Sequence, residues 1–226
     1  MLASRLGIGR READDLIERG RVTVNGLEAR LGQQISTTDV VAVDHKRVVA
    51  TKAPLLYVLL NKPVGYVSSR SQQGSTPTIY SLLPPEYAHL KTVGRLDKDT
   101  SGLLLMTNDG DLALEMTHPR FGKKKTYLVT LDQPLRPEHQ KAINTQGVEL
   151  ADGPSVLTLT EIHNDRRQWQ IEMSEGRNRQ IRRTFAALGY AVTRLHRTTF
   201  GPWSIDQMNG RRYLQLAPDE LKVQTK

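Results

Sequence analysis

Gly94-Arg95-Leu96-Asp97-Lys98-Asp99-Thr100-Ser101-Gly102-Leu103-Leu104-Leu105-Met106-Thr107-Asn108-Asp109-Gly110-Asp111 places four consecutive apolar residues, Leu103 to Met106, behind a polar loop bounded by glycines. That pattern predicts a buried strand entered from a tight, exposed turn, with the Asp97 and Asp99 carboxylates at its mouth. Asn108-Asp109-Gly110 tolerates left-handed backbone angles, so the chain should reverse there and start a helix near Asp111, whose carboxylate suits a helix N-terminus. A calcium loop is a poor fit. Asp97, Asp99, Ser101 and Gly102 match its first half, but position seven onward is Leu-Leu-Leu-Met and position twelve is Asn108, not a bidentate Glu. For an isolated Asp-rich loop the default is a surface turn with solvated acids.

Outward from this stretch, the composition narrows the function classes. The 226 residues can form one large or two modest domains with a substantial core. No run approaches the roughly 18 apolar residues that span a bilayer, and the N-terminus lacks a signal-like apolar segment, so no membrane partner and a cytoplasmic location are expected. Zero cysteines excludes disulfides and thiolate metal sites. The histidines lack paired metal spacing, which argues against a zinc enzyme. A net charge of +8 favours an anionic partner, although charge alone does not separate RNA from DNA or an acidic membrane.

From Arg10 to Arg19, Ala13, Leu16 and Ile17 fall at helical spacing and Gly20 supplies a stop, predicting a short amphipathic helix. Arg21 to Gly26 alternates as a strand with a hairpin turn, and Asp39 to Val43 is a second strand. Ala50 to Pro54 is a polar break ending in proline, which places a linker at 50–54 between a domain over 1–50 and another over 55–226. Leu55 to Leu60 is an apolar strand ended by Asn61-Lys62-Pro63-Val64-Gly65. Gln72 to Pro85 reads as a mobile loop with a short helix near Ile79 to Leu83, followed after the central stretch by a helix over Leu112 to His118. The basic loop Lys123-Lys124-Lys125 leads into a strand from Thr126 to Leu131, in which a Tyr ordinarily packs in the core. Pro137 to Asn144 reads as a helix, and Ser155 to Ile162 pairs with Gln168 to Met173.

In Glu175-Gly176-Arg177-Asn178-Arg179-Gln180-Ile181-Arg182-Arg183, four arginines crowd the start of a helix whose apolar face is Ile181, Phe185 and Leu188 and whose stop is Gly189. Cations there oppose the helix dipole, so an anion nearby is expected, either phosphate or a buried carboxylate. Arginines outnumber acids from Asp165 to Arg212, with Trp169, Tyr190, Phe200 and Trp203 among them. Arginine for phosphate and planar rings for unstacked bases is the RNA-recognition combination.

Three of these strings occur in the order of one family. Gly-Arg-Leu-Asp-x-x-Thr-Ser-Gly-Leu-Leu-Leu, then Lys-x-Tyr at Lys125 to Tyr127, then Glu-Gly-Arg-Asn-Arg-Gln-Ile-Arg-Arg, together resemble the motifs of the pseudouridine synthases that act on bacterial ribosomal RNA. Leu-Asn-Lys-Pro-x-Gly resembles that family's opening strand, and Arg-Arg-Glu-Ala with Val-x-Val-Asn-Gly resembles the S4-type RNA-binding domain over about the first 50 residues.

The resemblance implies an α+β protein: a small S4-type module, then a catalytic domain whose mixed, largely antiparallel sheet is flanked by helices. It implies isomerisation of one uridine to pseudouridine with no metal and no cofactor, because uracil and ribose are both retained. It makes Asp97 the catalytic carboxylate, Tyr127 the residue stacked on uracil, and Arg182 the partner that keeps Asp97 charged. Arg95 would fill the gap left by a flipped nucleotide. Phosphate contacts are expected from Arg5, Arg10, Arg11, Arg19 and Arg21 in the first module, and from Lys123, Lys124, Lys125, Arg177, Arg179 and Arg183 in the second. The partner is ribosomal RNA, with a lean to 23S over 16S from the unbroken Glu-Gly-Arg-Asn-Arg-Gln string, and the chain is expected to be monomeric. A non-catalytic RNA chaperone or assembly factor is the alternative. A glycosidase using Asp97 and Asp99 is weaker, since the two lie two apart on one turn and arginine density suits a polyanion.

Overall fold

A computed structural model describes residues 2–6, 8–36, 38–48 and 54–217, with the side chains of Ser4, Arg5 and Arg10 outside the description. The phosphate contacts expected of Arg5 and Arg10, and most of the expected linker, therefore lie outside the described residues. The chain divides into two compact units, Met1–Pro54 and Leu55–Lys226.

In the first unit α1 (Leu2–Leu6) and α2 (Arg10–Glu18) precede β1 (Val22–Val24), β2 (Leu27–Glu28), β3 (Val41–Val43) and β4 (Lys46–Arg47). The strands form an antiparallel sheet in the order β2-β1-β3-β4. Ala13, with Leu16 and Ile17 on the same stripe of α2, packs on Val22, Val24 and Val41. Asn25 and Gly26 both take positive φ, 52° and 83°, as a two-residue hairpin between right-twisted strands requires.

In the second unit the elements are β5 (Tyr57–Lys62), β6 (Lys91–Val93), β7 (Ser101–Thr107), α3 (Gly110–Thr117), β8 (Lys125–Leu131), α4 (Pro137–Thr145), β9 (Val148–Leu150), β10 (Gly153–Ser155), β11 (Thr158–Glu161), β12 (Gln168–Met173), α5 (Gln180–Ala187), β13 (Val192–Phe200), β14 (Trp203–Ser204) and β15 (Tyr213–Gln215). Among the described residues, one sheet runs β11-β12-β8-β13-β7-β5-β15, with β6 on β7 and β14 on β13. Only the β13–β7 pairing in it is parallel, so the α+β class with a mixed, largely antiparallel sheet holds.

β7 is the strand the sheet is built around. Leu103 to Met106 are all fully buried, and the period of two sends Leu104 and Met106 into one core and Leu103 and Leu105 into the other. Each such side chain is worth roughly 1.5–3 kcal/mol of burial. The loop at its N-terminal mouth, residues 94–100, is therefore carried by a strand that cannot shift without exposing both cores.

Two local details refine the sequence expectation. The helix after β7 is capped by Asp109, whose Oδ1 accepts from the N–H groups of Asp111 and Leu112 at 3.0 and 3.1 Å, so Asp111 lies inside the first turn. The segment expected as a mobile loop is anchored at its end, because Ile79 is fully buried in the main core and its N–H donates to Val67 O at 3.1 Å.

Candidate active site

The 94–100 loop is fixed from beneath by a lysine. Lys62 ends β5 with no exposure, and its Nζ donates to the carbonyls of Thr100 at 2.6 Å, Asp97 at 2.9 Å and Pro63 at 3.1 Å. Three N–H bonds and three acceptors match, which fixes the backbone of Asp97 at both ends of its turn. Burial pulls the Lys62 ammonium down to about 8, with Asp97 and Asp99 opposing that shift. The Asp97 side chain, 35 % exposed, stands clear of this clamp at the cleft mouth.

The arginines approach from the other side, across about 80 residues of sequence. Arg179, left-handed at φ 47°, immediately precedes α5 and grips both Asp99 oxygens at 3.0 Å, while standing 3.5 Å from Asp97 Oδ2. The resemblance pairs Arg182 with Asp97, whereas the direct contacts of Arg182 run to Val192 and Asp99. Arg182 donates to Val192 O at 2.7 Å and to Asp99 O at 2.9 Å, with its Nε 3.2 Å from Asp99 Oδ2. Its guanidinium is tethered at the start of β13 and makes its direct contacts to Asp99, while Asp97 acts on it only through space. The ion pair to Asp97 comes from Arg179. Hydrogen bonds from Arg179 hold the Asp99 carboxyl below the usual carboxylate range against some desolvation, with Arg182 adding to the effect.

The loop bearing Arg179 is itself held. Arg177 donates to Asp152 Oδ1 at 2.9 Å and to the carbonyls of Asp152, Gly153 and Pro154, while Arg183 takes both Asp152 oxygens at 2.9 and 2.7 Å. These two arginines clamp the loop to the β9–β10 hairpin; both were expected to meet phosphate. Beneath them Gln180 and Thr184 hydrogen-bond the fully buried Ser155 at 3.1 and 2.7 Å.

The cleft between these elements has a volume of about 460 Å³, lined by Arg95, Asp97, Lys125, Tyr127, Arg179 and Arg197 among others. Tyr127 is largely buried on β8, and register places it directly across from Arg197 on β13. Arg95 is exposed at the rim. The three basic residues before Tyr127 separate. Lys123 pairs with Glu115 at 2.6 Å, Lys125 turns inward onto three backbone carbonyls, and Lys124 is exposed. In the first unit Arg11 is exposed, Arg19 pairs with Asp15, and Arg21 bonds Asp44 at 2.8 Å through Nε. Among the described residues no three His, Asp or Glu gather as metal ligands.

Residues 56–187 match the family described as RNA pseudouridylate synthase, and residues 1–41 match the S4 domain. The chain belongs to the RNA pseudouridylate synthase family. This synthase is 35 % identical to the ribosomal small subunit pseudouridine synthase A of Pasteurella multocida, over 97 % of its own length and 95 % of the other's. It is 34 % identical to the ribosomal large subunit pseudouridine synthase B of Pseudomonas aeruginosa, over 97 % of its own length but 59 % of the other's. A solved structure described as that of a pseudouridylate synthase superposes with a TM-score of 0.69 at 34 % identity, covering 98 % of this chain and 96 % of that one. The activity class is thus isomerisation of uridine in RNA.

Sequence reasoning missed three members of the synthase's site. Lys62 was read as part of a turn and of the opening-strand string, with no role given to its side chain, and its signal was a lysine ending an otherwise apolar strand. Asp99 was treated as a solvated neighbour of Asp97, and Arg197 as one more arginine in a basic region.

Proposed function

We propose that this synthase converts one uridine of ribosomal RNA to pseudouridine with Asp97 as the nucleophile. The observation that carries the reading is the backbone clamp at Asp97: Lys62 fixes its carbonyl at 2.9 Å while leaving its carboxylate exposed to the cleft that Tyr127 also lines. A base in a helix is unreachable, so the target nucleotide is extruded into the cleft. Its uracil stacks on Tyr127, whose hydroxyl assists removal of the C5 proton. Asp97 meets the positive charge that develops at ribose C1′ when the C1′–N1 bond breaks. Arg179 and Arg182 act through Asp99 to position the loop, and Arg95 occupies the gap left by the flipped base.

The first unit, as an S4 domain, adds phosphate contacts from Arg11, Arg19 and Arg21. The protein acts as a cytoplasmic monomer and needs no cofactor. Relatives named for the small and the large subunit are matched at nearly equal identity. The unbroken Glu175 to Gln180 string favours the large subunit, hence 23S RNA.

The test is incubation with 16S and 23S RNA followed by mapping of pseudouridine, in EDTA with a polyamine maintaining the RNA fold. Wild type should modify one site and Asp97→Asn none, with RNA binding retained. Product from Asp97→Asn would refute the nucleophile assignment. RNA remodelling without product from wild type would favour an assembly factor.

A further inference from the structure

Four arginines of the cleft are matched to carboxylates, Arg95 is exposed to water at the rim, and Arg197 is set deeper than the rest. Arg177 and Arg183 share Asp152, and Arg179 and Arg182 share Asp99. Arg197 lines the same cleft at 2 % exposure. Its Nε donates to Leu103 O at 2.7 Å, one face of its guanidinium lies 4.6 Å from the Phe200 ring, and one terminal nitrogen, buried, has no hydrogen-bond partner among the described groups.

Lys125 lies close by, with its Nζ 5.7 Å from the same Phe200 ring. Its acceptors are the carbonyls of Lys123, Ser174 and Glu175. Burial lowers the Lys125 ammonium and the Arg197 charge lowers it further, while the Glu175 carboxylate works the other way. Among the described residues neither Lys125 nor Arg197 forms an ion pair. A buried cation with no counter-charge is costly, and an unsatisfied buried donor in a cleft points to a group that arrives from outside.

Position narrows what arrives. On one side of β13, Arg197 stands directly across from Tyr127; on the other it pairs with Gly102, five residues past Asp97. A Cβ on Gly102 would meet Arg197 O at 2.2 Å, so the glycine lets the two strands come this close. Arg197 thus sits on the strand between the one that carries the stacking ring and the one whose entry loop carries the nucleophile. A phosphodiester is bulky and well hydrated, and the exposed rim residues Arg95, Lys98 and Lys124 suit it better. A flipped uracil reaches the interior. It is neutral when bound and turns anionic only as the C1′–N1 electron pair departs with it, spreading onto O2 and O4.

Resting on the Asp97 mechanism proposed above, we infer that Arg197, assisted by Lys125, stabilises the uracil anion as it leaves the ribose. The C1′–N1 bond breaks with its electron pair retained on uracil, and the cationic C1′ is met by the Asp97 carboxylate. After the base turns, the C5 carbon supplies the pair for the new bond to C1′, Asp97 is freed, the C5 proton is lost and N1 takes up a proton. A fixed positive charge beside the base interacts more strongly with the departing anion than with bound uridine, so it lowers the barrier without tightening ground-state binding.

The experiment uses the full chain and a ribosomal RNA transcript containing the mapped target, made with uridine or with 5-fluorouridine. Fluorine makes the departing base more acidic, so its anion needs less help. Single-turnover loss of the intact target nucleotide and RNA affinity are measured for wild type, Arg197→Gln, Arg197→Lys and Lys125→Met. Arg197→Gln should slow uridine consumption about 100-fold, a typical loss for one electrostatic donor to developing charge. Its RNA affinity should stay within about threefold, and its defect on 5-fluorouridine should be about tenfold smaller, as a charge that acts on the leaving group requires. Arg197→Lys, which keeps the charge, and Lys125→Met should show the same substrate dependence with smaller losses, and they carry the test if the Gln variant does not fold.

Equal losses on both RNAs would make Arg197 a packing residue, and weakened RNA binding with an unchanged single-turnover rate would make it a phosphate contact; either overturns the inference. Asp97→Asn separates the two levels. If it retains activity the underlying mechanism fails, whereas an inactive Asp97→Asn with a substrate-independent Arg197→Gln defect sinks this inference alone.

Discussion

Arg179 holds Asp99 through two parallel hydrogen bonds of 3.0 Å, one from each terminal nitrogen. That fork keeps a cation 3.5 Å from the carboxylate of Asp97 without seating it there. Asp99 thereby decides how strongly Asp97 is neutralised, although the two acids are separated by a single residue.

Asp99→Asn preserves size and removes the bidentate acceptor, so Arg179 should settle on Asp97 and turnover should fall. Because the Asp99 side chain is 45 % exposed, screening limits the effect to about 1 kcal/mol, or roughly fivefold in kcat. The Asp99 carboxyl is held below its unfolded value, so its contribution to stability is fully present above about pH 4 and disappears as acid protonates it in the folded state. Steady-state kinetics and acid unfolding of the two proteins check both statements; unchanged kcat would return Asp99 to the status of a solvated neighbour.

Lys62 predicts opposite pH trends for activity and stability. Above about pH 8 the amine loses one of the three N–H bonds that hold the Asp97 turn, so kcat should decline through that value. The unfolded chain keeps the proton until about 10.4, so between those values the unfolded state binds more protons and unfolding free energy should rise, by up to about 3 kcal/mol. Lys62→Met should turn over slowly and lack both trends. A wild-type kcat that is flat from pH 7 to 9 would show that the clamp does not depend on the charge.

Gly102→Ala should be disproportionately harmful for so small a change. Gly102 has φ 108°, and an added Cβ would lie 2.2 Å from Arg197 O and 2.6 Å from Arg197 N, backbone atoms that cannot rotate away. Left-handed strain and forced separation of β7 from β13 together should cost about 3 kcal/mol or more. Urea unfolding measures the loss, and crystallography should find Arg197 displaced; a variant as stable as wild type contradicts the close approach.

Tyr127→Phe separates ring from hydroxyl. The aromatic face that stacks on uracil is retained, so RNA affinity should be near normal, while loss of proton-transfer help should slow turnover by about 10²–10⁴. Poor binding with normal turnover of bound RNA would make Tyr127 a packing residue.

Short-range physics was legible in the chain itself. A run such as Leu103 to Met106 has no polar side to show to water, so it must be a strand buried on both faces, and Asn25-Gly26 can satisfy two successive positive φ angles wherever it occurs. The helix start near Asp111 was legible in the same local way, since α3 begins at Gly110 with Asp111 in its first turn and Asp109 as its cap. The family motifs placed Asp97, Tyr127 and the arginine-rich loop in one protein, and the structure gathers all three at one cleft. Which arginine meets which carboxylate was not legible, because Arg179, Arg182, Asp97 and Asp99 lie within a few residues of one another in two segments about 80 apart. Their matching follows from where α5 begins and from the Val192 carbonyl that tethers Arg182. Lys62 looked like a turn residue until the carbonyls of Asp97 and Thr100, 35 and 38 residues further on, converged on it beside that of Pro63. Arg197 became a buried, unmatched charge only because parallel pairing of β13 with β7, allowed by Gly102, carries it beneath the active-site loop. Periodicity and turn chemistry act over a few residues, whereas burial of a charge and choice of its partner depend on strand register and helix placement, which exist only once the sheet has closed.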